Sequence, residues 1–425
     1  MQQYVQYGSY KSTNSPWLGD VPSHWQLQPG LAVLKKNRQK NTGMVEETVL
    51  SLSYGKVVVK PPEKLTGLVP ESFETYQVIK PNDIIIRPTD LQNDQTSLRT
   101  GLAKDHGIIT SAYICLCPMP AHNPVFMHYL LHAYDLMKVF YGMGSGLRQN
   151  LDYRDFKRLD LCLPSCDEQS RIANFLDQKT VEIEEAIAKK QRLIELLKEQ
   201  KTVLINQAVT KGLNPDVPMR DSGAAWVGEV PEDWVVKRAK FLFYEIDERS
   251  QTGAEELLSV SHMTGVTPRS EKNIYMFMAE DYSGSKVCRE GDLVFNIMWA
   301  WMGALGVSDR AGIVSPSYGV YRQRYKGAFN SWFLENLLHS GQYVAEYNRR
   351  STGLHSSRLR LYPDMFFDME IGFPAKLEQD RIEQAIKEKT ADIDNAVSAV
   401  NAEIEALSEY RQVVIAEVVT GKIKL

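Results

Sequence analysis

The stretch W-V-G-E-V-P-E-D-W, Trp226 to Trp234, lies in mid-chain and repeats a pattern found near the chain's beginning. The earlier copy is W-L-G-D-V-P-S-H-W, Trp17 to Trp25, at an offset of 209 residues. Further matches follow in the same order at offsets of 207 to 210, including N-D-I-I-I-R from Asn82 with G-D-L-V-F-N from Gly291. A period this long indicates duplicated domains rather than a solenoid of short repeats.

The composition is that of a globular protein with more than one core. The chain has 425 residues, 43% of them hydrophobic and 24% charged, which favours at least two domains. It has no apolar run of the roughly 18 residues that span a bilayer and no signal-peptide pattern at its start. We therefore expect a cytoplasmic protein without membrane contact. The five cysteines are not arranged as two metal-binding pairs, so we expect reduced structural thiols and no metal site.

Each repeat divides into a region of short β-like runs and a long helix. The first region also contains one amphipathic helix, N-P-V-F-M-H-Y-L-L-H-A-Y-D-L-M from Asn123. The long helices are predicted at about 167–210 and about 378–420, where Pro and Gly are absent. The predicted fold is α/β (α+β), with two mixed α/β globular domains and two long helices in a pseudo-two-fold tandem repeat. The predicted boundaries are 1–166 for the first globular domain, 167–211 for its helix, 212–376 for the second globular domain and 377–425 for its helix.

The two long helices are predicted to pack against each other as an antiparallel coiled coil. Apolar residues recur along both at spacings of three, four or their sums, close to a heptad pattern. Antiparallel pairing is favoured because parallel pairing would require the second globular domain to span the whole rod before its helix starts. The predicted helix seam consists of Ile172, Leu176, Ile183, Ile187, Ile194, Leu197, Leu204, Ile382, Ile386, Ile393, Val397, Ile404, Leu407 and Val414.

The sequence carries no motif of an enzyme active site. The G-x-G-x-G within Tyr141–Gly146 follows a helical segment rather than a strand, which favours a flexible loop over a nucleotide site. No phosphate-binding loop and no Asn-Pro-Pro-aromatic methyltransferase motif is present. His128 and His132 have helical i, i+4 spacing, but Tyr129 replaces the glutamate of a zinc-protease motif. We expect no catalysis and no cofactor bound by this chain.

Two kinds of polar segment are candidates for DNA contact. The run K-K-N-R-Q-K, Lys35–Lys40, has residue types that bind phosphates and base edges, although a solvated turn is an equal alternative. A polar, partly basic loop follows the same Gly-Leu pair in both repeats, with a surface loop at the helix entry as the alternative. Trp299 and Trp301 are interpreted as core or edge-strand aromatics. The predicted DNA-binding residues are Lys35, Lys36, Arg38, Lys40, Arg87, Arg148, Gln149, Asn150, Arg154, Arg349, Arg350, His355, Ser356, Ser357, Arg358 and Arg360.

The duplicated organisation resembles the specificity subunit of type I restriction–modification systems, the HsdS family. The segments that carry the resemblance are the two W-x-G-x-V-P-x-x-W openings and the runs that lead into each helix. Those runs are L-C-L-P-S-C-D-E-Q-S-R-I from Leu161 and I-G-F-P-A-K-L-E-Q-D-R-I from Ile371. The resemblance covers essentially the whole chain, but in 35–150 and 240–355 family members differ widely, so base-contacting residues cannot be carried over.

The resemblance implies a non-catalytic subunit with several partners. Each globular domain would recognise one half of a bipartite, asymmetric target in double-stranded DNA. The helices would be conserved spacers that fix the half-site separation and bind methyltransferase subunits (HsdM), with two copies expected. The partner methyltransferase would transfer a methyl group from S-adenosylmethionine to adenine N6, and a restriction/translocase subunit (HsdR) would join the complex. The alternative function is a coiled-coil scaffold with two peptide- or carbohydrate-binding globules and no DNA role.

Overall fold

The computed structural model describes residues 5–61, 63, 72–146, 149–272, 281–353 and 359–425. The chain forms two compact units. One unit combines Met1–Gln191 with Asn401–Leu425, and the other consists of Arg192–Val400. Each unit therefore contains one globular region and parts of both long helices.

The first unit begins with short strands and ends in a long helix. Its helices are Gly30–Val33, Pro124–Leu136, Tyr153–Arg158 and the start of Cys166–Lys211, with a 3-10 turn at Val139–Gly142. Its strands are Tyr10–Ser12, Asp20–Pro22, Gln26–Pro29, Leu34–Lys36, Leu50–Ser53, Lys56–Val59, Gln77–Ile79, Ile84–Ile86, Thr100–Leu102, Gly107–Ile109, Ile114–Pro118 and Asp160–Leu163.

The second unit contains the corresponding elements of the second repeat. Its helices are Ser331–Leu338, Gly341–Arg350, Pro363–Phe367 and the start of Lys376–Val419, with 3-10 turns at Ala239–Phe241, Arg269–Glu271 and Ala300–Met302. Its strands are Met219–Asp221, Glu229–Pro231, Val235–Arg238, Phe243–Glu245, Leu258–Ser261, Gly265–Pro268, Lys286–Cys288, Leu293–Phe295, Leu305–Val307, Gly312–Val314, Gly319–Gln323 and Glu370–Phe373.

Strand pairing is the same in the two units, ladder for ladder. In the first unit, a four-stranded antiparallel sheet has the spatial order Leu34–Lys36, Ile114–Pro118, Ile84–Ile86, Thr100–Leu102. The second unit repeats it as Phe243–Glu245, Gly319–Gln323, Leu293–Phe295, Leu305–Val307. The four two-stranded ladders of the first unit also recur in the second. The prediction of two mixed α/β regions in a tandem repeat is confirmed.

The long helices run antiparallel where they meet within each unit. In the first unit, Arg411 donates to Glu184 at 3.3 Å and Lys190 pairs with Glu403. Residue numbers therefore rise along one helix as they fall along the other. In the second unit, the Lys201 ammonium lies 2.7 Å from an Asp394 carboxylate oxygen. Both helices end at a glycine with positive φ, Gly212 and Gly421, the residue that a left-handed helix terminus favours.

The predicted seam residues are all buried or half-buried. Half-buried members lie along the middle of the helices, namely Ile187, Ile194, Leu197, Leu204, Val397, Ile404 and Leu407. Nearly fully buried members lie closer to the helix ends, where the globular regions add their own contacts, namely Ile172, Leu176, Ile183, Ile382, Ile386, Ile393 and Val414.

The W-x-G-x-V-P-x-x-W stretch packs each globular region against helix ends. Trp25 is 0% exposed and its indole nitrogen donates to Glu168 at 3.3 Å. Trp234 is 2% exposed and makes the equivalent bond to Glu378, also at 3.3 Å. The core around Trp25 includes the end of the second long helix, and the core around Trp234 includes the end of the first. The stretch is therefore a structural anchor.

The glutamine of the E-Q motif joins three elements in each unit. Gln169 donates to the carbonyl of Pro164 at 3.0 Å and accepts from the backbone N–H of Asn123 at 2.9 Å. Gln379 makes the same pair of bonds at 2.9 and 2.8 Å, to Pro374 and Asn330. Both asparagines cap the helix that follows them, as Asn commonly does. The motif thus fixes that helix on the start of the long helix.

Candidate nucleic-acid interface

The basic run Lys35–Lys40 lies at the edge of the four-stranded sheet of the first unit. Strand Leu34–Lys36 pairs only with Ile114–Pro118 in that sheet, so the run leaves the sheet at its border. Asn37 orders the turn, since its side chain donates to the carbonyl of Val78 at 2.6 Å and accepts from Gln39 at 2.8 Å. The four cations of the run are Lys35, Lys36, Arg38 and Lys40. All are exposed, and no carboxylate of the described residues lies within ion-pair distance of them.

Arg87 is held inside a loop of the first unit. Its guanidinium pairs with Asp94, whose side chain also accepts from Ser97 at 3.0 Å. The fully buried Arg99 binds the same loop, because its guanidinium donates to the carbonyl of Thr89 at 2.7 Å and to that of Asp94. Arg87 thus has a structural partner already. The central group here is Arg99, which the sequence did not single out.

Gln149 and Asn150 are also engaged within the fold. The Gln149 amide donates to the carbonyls of Tyr141 at 2.6 Å and Met143 at 3.1 Å. The Asn150 side-chain oxygen accepts from the backbone of Asp90 at 2.9 Å. These bonds join the loop after Tyr141 to the loop after Arg87. Their side chains therefore order the first unit's loops.

The two Gly-Leu loops have the same structural base. Ser145 and Asn150 exchange backbone hydrogen bonds of 3.1 and 3.0 Å, which closes the loop in the first unit. Thr352 and Arg360 exchange bonds of 3.1 and 2.9 Å in the second. The next residue, Leu151 or Leu361, then hydrogen-bonds to the segment that follows the matched D-I-I-I-R or D-L-V-F-N strand.

Several predicted contact residues fall outside the described residues, and Arg154 and Arg360 are exposed cations. Arg148, His355, Ser356, Ser357 and Arg358 lie outside the part of the chain that the structure describes. Arg154 is exposed and pairs with Asp152 at 3.2 Å. Hydrogen bonds from the Arg154 backbone and then from its side chain lower the pKa of Asp152. Arg360 is exposed at the base of its loop.

Arg349 and Arg350 converge on a buried carboxylate. Arg349 donates through two nitrogens to Glu346 at 2.6 Å each, and Arg350 donates to the same carboxylate at 2.6 Å. These hydrogen bonds lower the pKa of Glu346. Arg350 is mostly buried while Arg349 is largely exposed. The two arginines therefore neutralise Glu346, and only Arg349 presents an open guanidinium face to solvent.

An aromatic patch in the second unit differs from its interpretation as core. Trp299 is 46% exposed and lies just before the 3-10 turn Ala300–Met302, so it is neither a core nor an edge-strand residue. Its ring stacks on Trp301 at 6.0 Å, and Met298 and Met302 are also exposed. The segment carries the carbonyl of Ile297, to which Leu361 donates at the base of the Gly-Leu loop. An exposed apolar cluster beside a polar loop is a feature of binding surfaces.

A cavity of about 750 Å³ opens in the first unit, away from these basic segments. Its lining includes Tyr54, His128, His132, Glu184 and Arg411. Burial lowers the pKa of His128 to about 3 and that of His132 to about 4, so both rings are neutral at pH 7. None of the predicted DNA-binding residues within the described chain lines the cavity.

The comparisons with known proteins agree with this architecture. No protein-family model matches the chain. The Methanocaldococcus jannaschii type I restriction enzyme MjaVIII specificity subunit is 23% identical over 298 residues, 66% of this chain and 66% of that protein. The alignment thus covers just under two thirds of the relative's length. The HsdS subunit from Thermoanaerobacter tengcongensis aligns with a TM-score of 0.51 at 15% identity, covering 99% of this chain and all of that one.

This chain has the fold of an HsdS subunit. A second solved structure, which concerns complex assembly and conformational transition of the type I R-M system, aligns with a TM-score of 0.63 at 14% identity. It covers 94% of this chain and 98% of that chain. The resemblance to HsdS inferred from the duplicated motifs is confirmed. Within the described residues, no helix of this HsdS-like chain is long and apolar enough to cross a membrane.

Proposed function

We propose that the chain is the non-catalytic specificity subunit of a cytoplasmic type I restriction–modification complex. It recognises a bipartite, asymmetric DNA target with its two globular regions. The observation that carries the proposal is the ladder-for-ladder duplication of the globular scaffold combined with different side chains at matched loops. Two copies of one scaffold present two surfaces, and unlike surfaces favour unlike half-sites. The M. jannaschii specificity subunit and the HsdS structures support the same function.

The DNA-facing surface is proposed to combine exposed cations with the matched loops. Phosphate contacts in the first globular region come from the exposed cations Lys35, Lys36, Arg38 and Lys40. Cations that bind phosphates release the counterions condensed on DNA, and this release favours binding. Arg349 and Arg360 are the exposed arginines that flank the loop of the second region. Base-specific contacts are expected from the Gly-Leu loops, where Arg148, His355 and Arg358 supply hydrogen-bonding groups suited to base edges.

The long helices are proposed to dock methyltransferase subunits. Apolar side chains on their outer faces are exposed, including Leu193, Leu196, Val203 and Val413. Val203 and Val413 stand at the same place in the two repeats, 210 residues apart. This repeated exposed valine suits two copies of one partner, one on each helix. Methyl transfer from S-adenosylmethionine to adenine then belongs to the partner, and a restriction/translocase subunit would join the same complex.

The mapping of methylated adenines tests this function. The chain is expressed with its partner methyltransferase in a host that lacks other adenine methylation, and the genome is sequenced for N6-methyladenine. We expect one motif with two different halves separated by a fixed gap. Lengthening the first long helix by one turn after Gln191 should change that gap, because the helices set the spacing.

The same insertion in the linker Leu213–Asp216, outside both long helices, is the matched control and should leave the gap unchanged. An unchanged motif after the helix insertion would contradict the role of the helices as a spacer. Absence of any methylation that depends on this chain would favour the scaffold alternative without a DNA role.

A further inference from the structure

A carboxylate and two thiols meet on one face of the four-stranded sheet in the first unit. The ligand atoms of Asp83, Cys115 and Cys117 all lie within 4.8 Å of one another. The strand register explains why: Cys115 pairs with Ile85 and Leu116 with Ile84, so Cys117 stands opposite Asp83. Residues two apart on a strand share a face. Asp83 is 8% exposed and Cys115 is 0% exposed.

The second unit holds an ion pair at the same place. The register there brings Asp292 opposite Arg322 on the corresponding strands. Arg322 donates to the two Asp292 oxygens through two nitrogens, at 2.7 Å each. The same backbone hydrogen bond forms in both units. The Asp83 carboxylate accepts from the backbone N–H of Lys80 at 2.9 Å, and the Asp292 carboxylate accepts from that of Arg289 at 2.8 Å. The two aspartates are therefore structural equivalents.

The first unit has the buried carboxylate without the guanidinium. No ion pair joins Asp83 to a cation among the described residues. Lys35 lies opposite Cys117 in the register on the other side of that strand, but its ammonium is not within ion-pair distance of Asp83. Burying an ionised carboxylate without a compensating charge is costly. At this place the second unit has the guanidinium of Arg322, whereas the first unit has the two thiols of Cys115 and Cys117.

We propose that Asp83, Cys115 and Cys117 bind a thiophilic divalent cation, with Zn²⁺ as the expected ion. Thiolate sulfur and carboxylate oxygen are ligands that Zn²⁺ takes in tetrahedral sites, and the fourth position would be filled by water or another donor. The ion occupies the place that the guanidinium of Arg322 takes in the second unit. This inference does not depend on the proposed DNA function, and it revises the expectation that the chain has no metal site.

The thiol chemistry is consistent with a site that is completed by an ion. Both cysteines would bind the ion as thiolates. A bound metal stabilises the thiolate and releases the proton. The carbonyl of Cys115 also accepts from the Asn37 backbone at 2.9 Å. The site would therefore stabilise the strand that leads into the exposed run Lys35–Lys40.

Cobalt binding to the purified full-length chain tests the site. Co²⁺ takes the same ligands as Zn²⁺, and thiolate ligation gives a sulfur-to-metal charge-transfer absorption. We expect one Co²⁺ per chain with this absorption, displaced by Zn²⁺. Cys117→Ser should lose the absorption and weaken Zn²⁺ binding by at least about tenfold, because loss of a ligand costs no less than loss of its supporting groups.

Two further variants separate metal loss from misfolding. Cys117→Arg should abolish metal binding and keep the wild-type melting temperature, since the new guanidinium can pair with Asp83 as Arg322 does with Asp292. Cys166→Ser removes an exposed cysteine outside the cluster and should leave metal binding unchanged. Absence of stoichiometric binding by the wild-type chain overturns the proposal, as does equal binding by Cys117→Ser and Cys166→Ser. If Cys117→Ser does not fold, the test rests on Cys117→Arg: loss of metal binding supports the proposal, and wild-type metal binding overturns it.

Discussion

The two globular regions share a scaffold and differ in what fills it. Every ladder of the first region recurs in the second, and the same Trp–Glu and Gln–Pro contacts fix each region on its helices. The charged interior differs, because Asp83 faces two thiols while Asp292 faces Arg322. The contacts that fix each region on its helices are thus duplicated, whereas the side chains around the matched aspartates differ.

A second difference lies in the helix after the capping asparagine. In the first region this helix runs unbroken over Pro124–Leu136, whereas in the second it ends at Leu338 and a new helix begins at Gly341. Glu335 stands at the position of His128, and its carboxylate accepts from the backbone of Val307 at 2.8 Å. His339 corresponds to His132. The same position of the scaffold therefore holds a histidine, His128, in the first unit and a carboxylate, Glu335, in the second.

The largest effect is expected where the two regions are alike. Trp25→Ala and Trp234→Ala should each cost about 3–5 kcal/mol of unfolding free energy, because each removes a fully buried indole from its core. The measurement is denaturant unfolding, with loss of stability expected in the unit that carries the change. Equal costs would show that the two anchors are equivalent.

The control for that comparison is Trp299→Ala. Trp299 is an exposed aromatic of the second region, and its removal should cost no more than about 0.5 kcal/mol. A loss as large as that of Trp234→Ala would contradict the assignment of Trp299 to the surface. A negligible cost for either Trp25→Ala or Trp234→Ala would break the equivalence of the two anchors.

A smaller effect is expected from pH, and it should separate the two regions. Burial holds the pKa of His128 and His132 below the ordinary value near 6.5. Their contribution to stability is complete above about pH 6.5 and is lost as the pH falls, because the unfolded chain takes up the protons first. Burial raises the pKa of Glu335, which acts in the opposite direction, since its cost appears as the pH rises.

Unfolding of each unit between pH 7 and pH 5 measures this contrast. The first unit should lose up to about 1.4 kcal/mol per pH unit from each histidine below about pH 6.5, because the unfolded chain then binds one more proton per ring than the folded chain. His132→Gln should reduce the pH dependence of the first unit and leave that of the second unchanged. If the unfolding free energy of His132→Gln depends on pH as strongly as that of the wild-type chain, His132 does not cause the pH dependence.

The long-range organisation was predictable because periodicity and repetition record it. The apolar spacing that includes Ile172 and Ile382 predicted the helices, and the duplicated E-Q motif predicted their equivalent starts. The contact between Glu346 and Arg350 was also within reach, since an i, i+4 pair on a helix is visible in sequence. The same spacing leaves Arg349, three residues after Glu346, with both a structural partner and an exposed guanidinium.

Other parts of the site depend on contacts between distant segments. Gln149 has polar side-chain chemistry suited to bases, but the fold uses it to bind carbonyls at Tyr141 and Met143. The meeting of Asp83 with Cys117 requires the register of two strands, which their sequence separation does not reveal. The burial of Arg99 cannot be predicted from sequence, because a fully buried arginine is unusual and only the surrounding carbonyls explain it.

The most direct test of the central claim replaces the second globular region with a copy of the first. Residues Met219–Phe373 are exchanged for Tyr10–Leu163, whose strands have the same pairings, and methylated adenines are mapped as for the wild-type chain. If each globular region recognises its own half-site, the new motif contains the first half twice, as an inverted repeat. Retention of the original asymmetric motif would contradict the account.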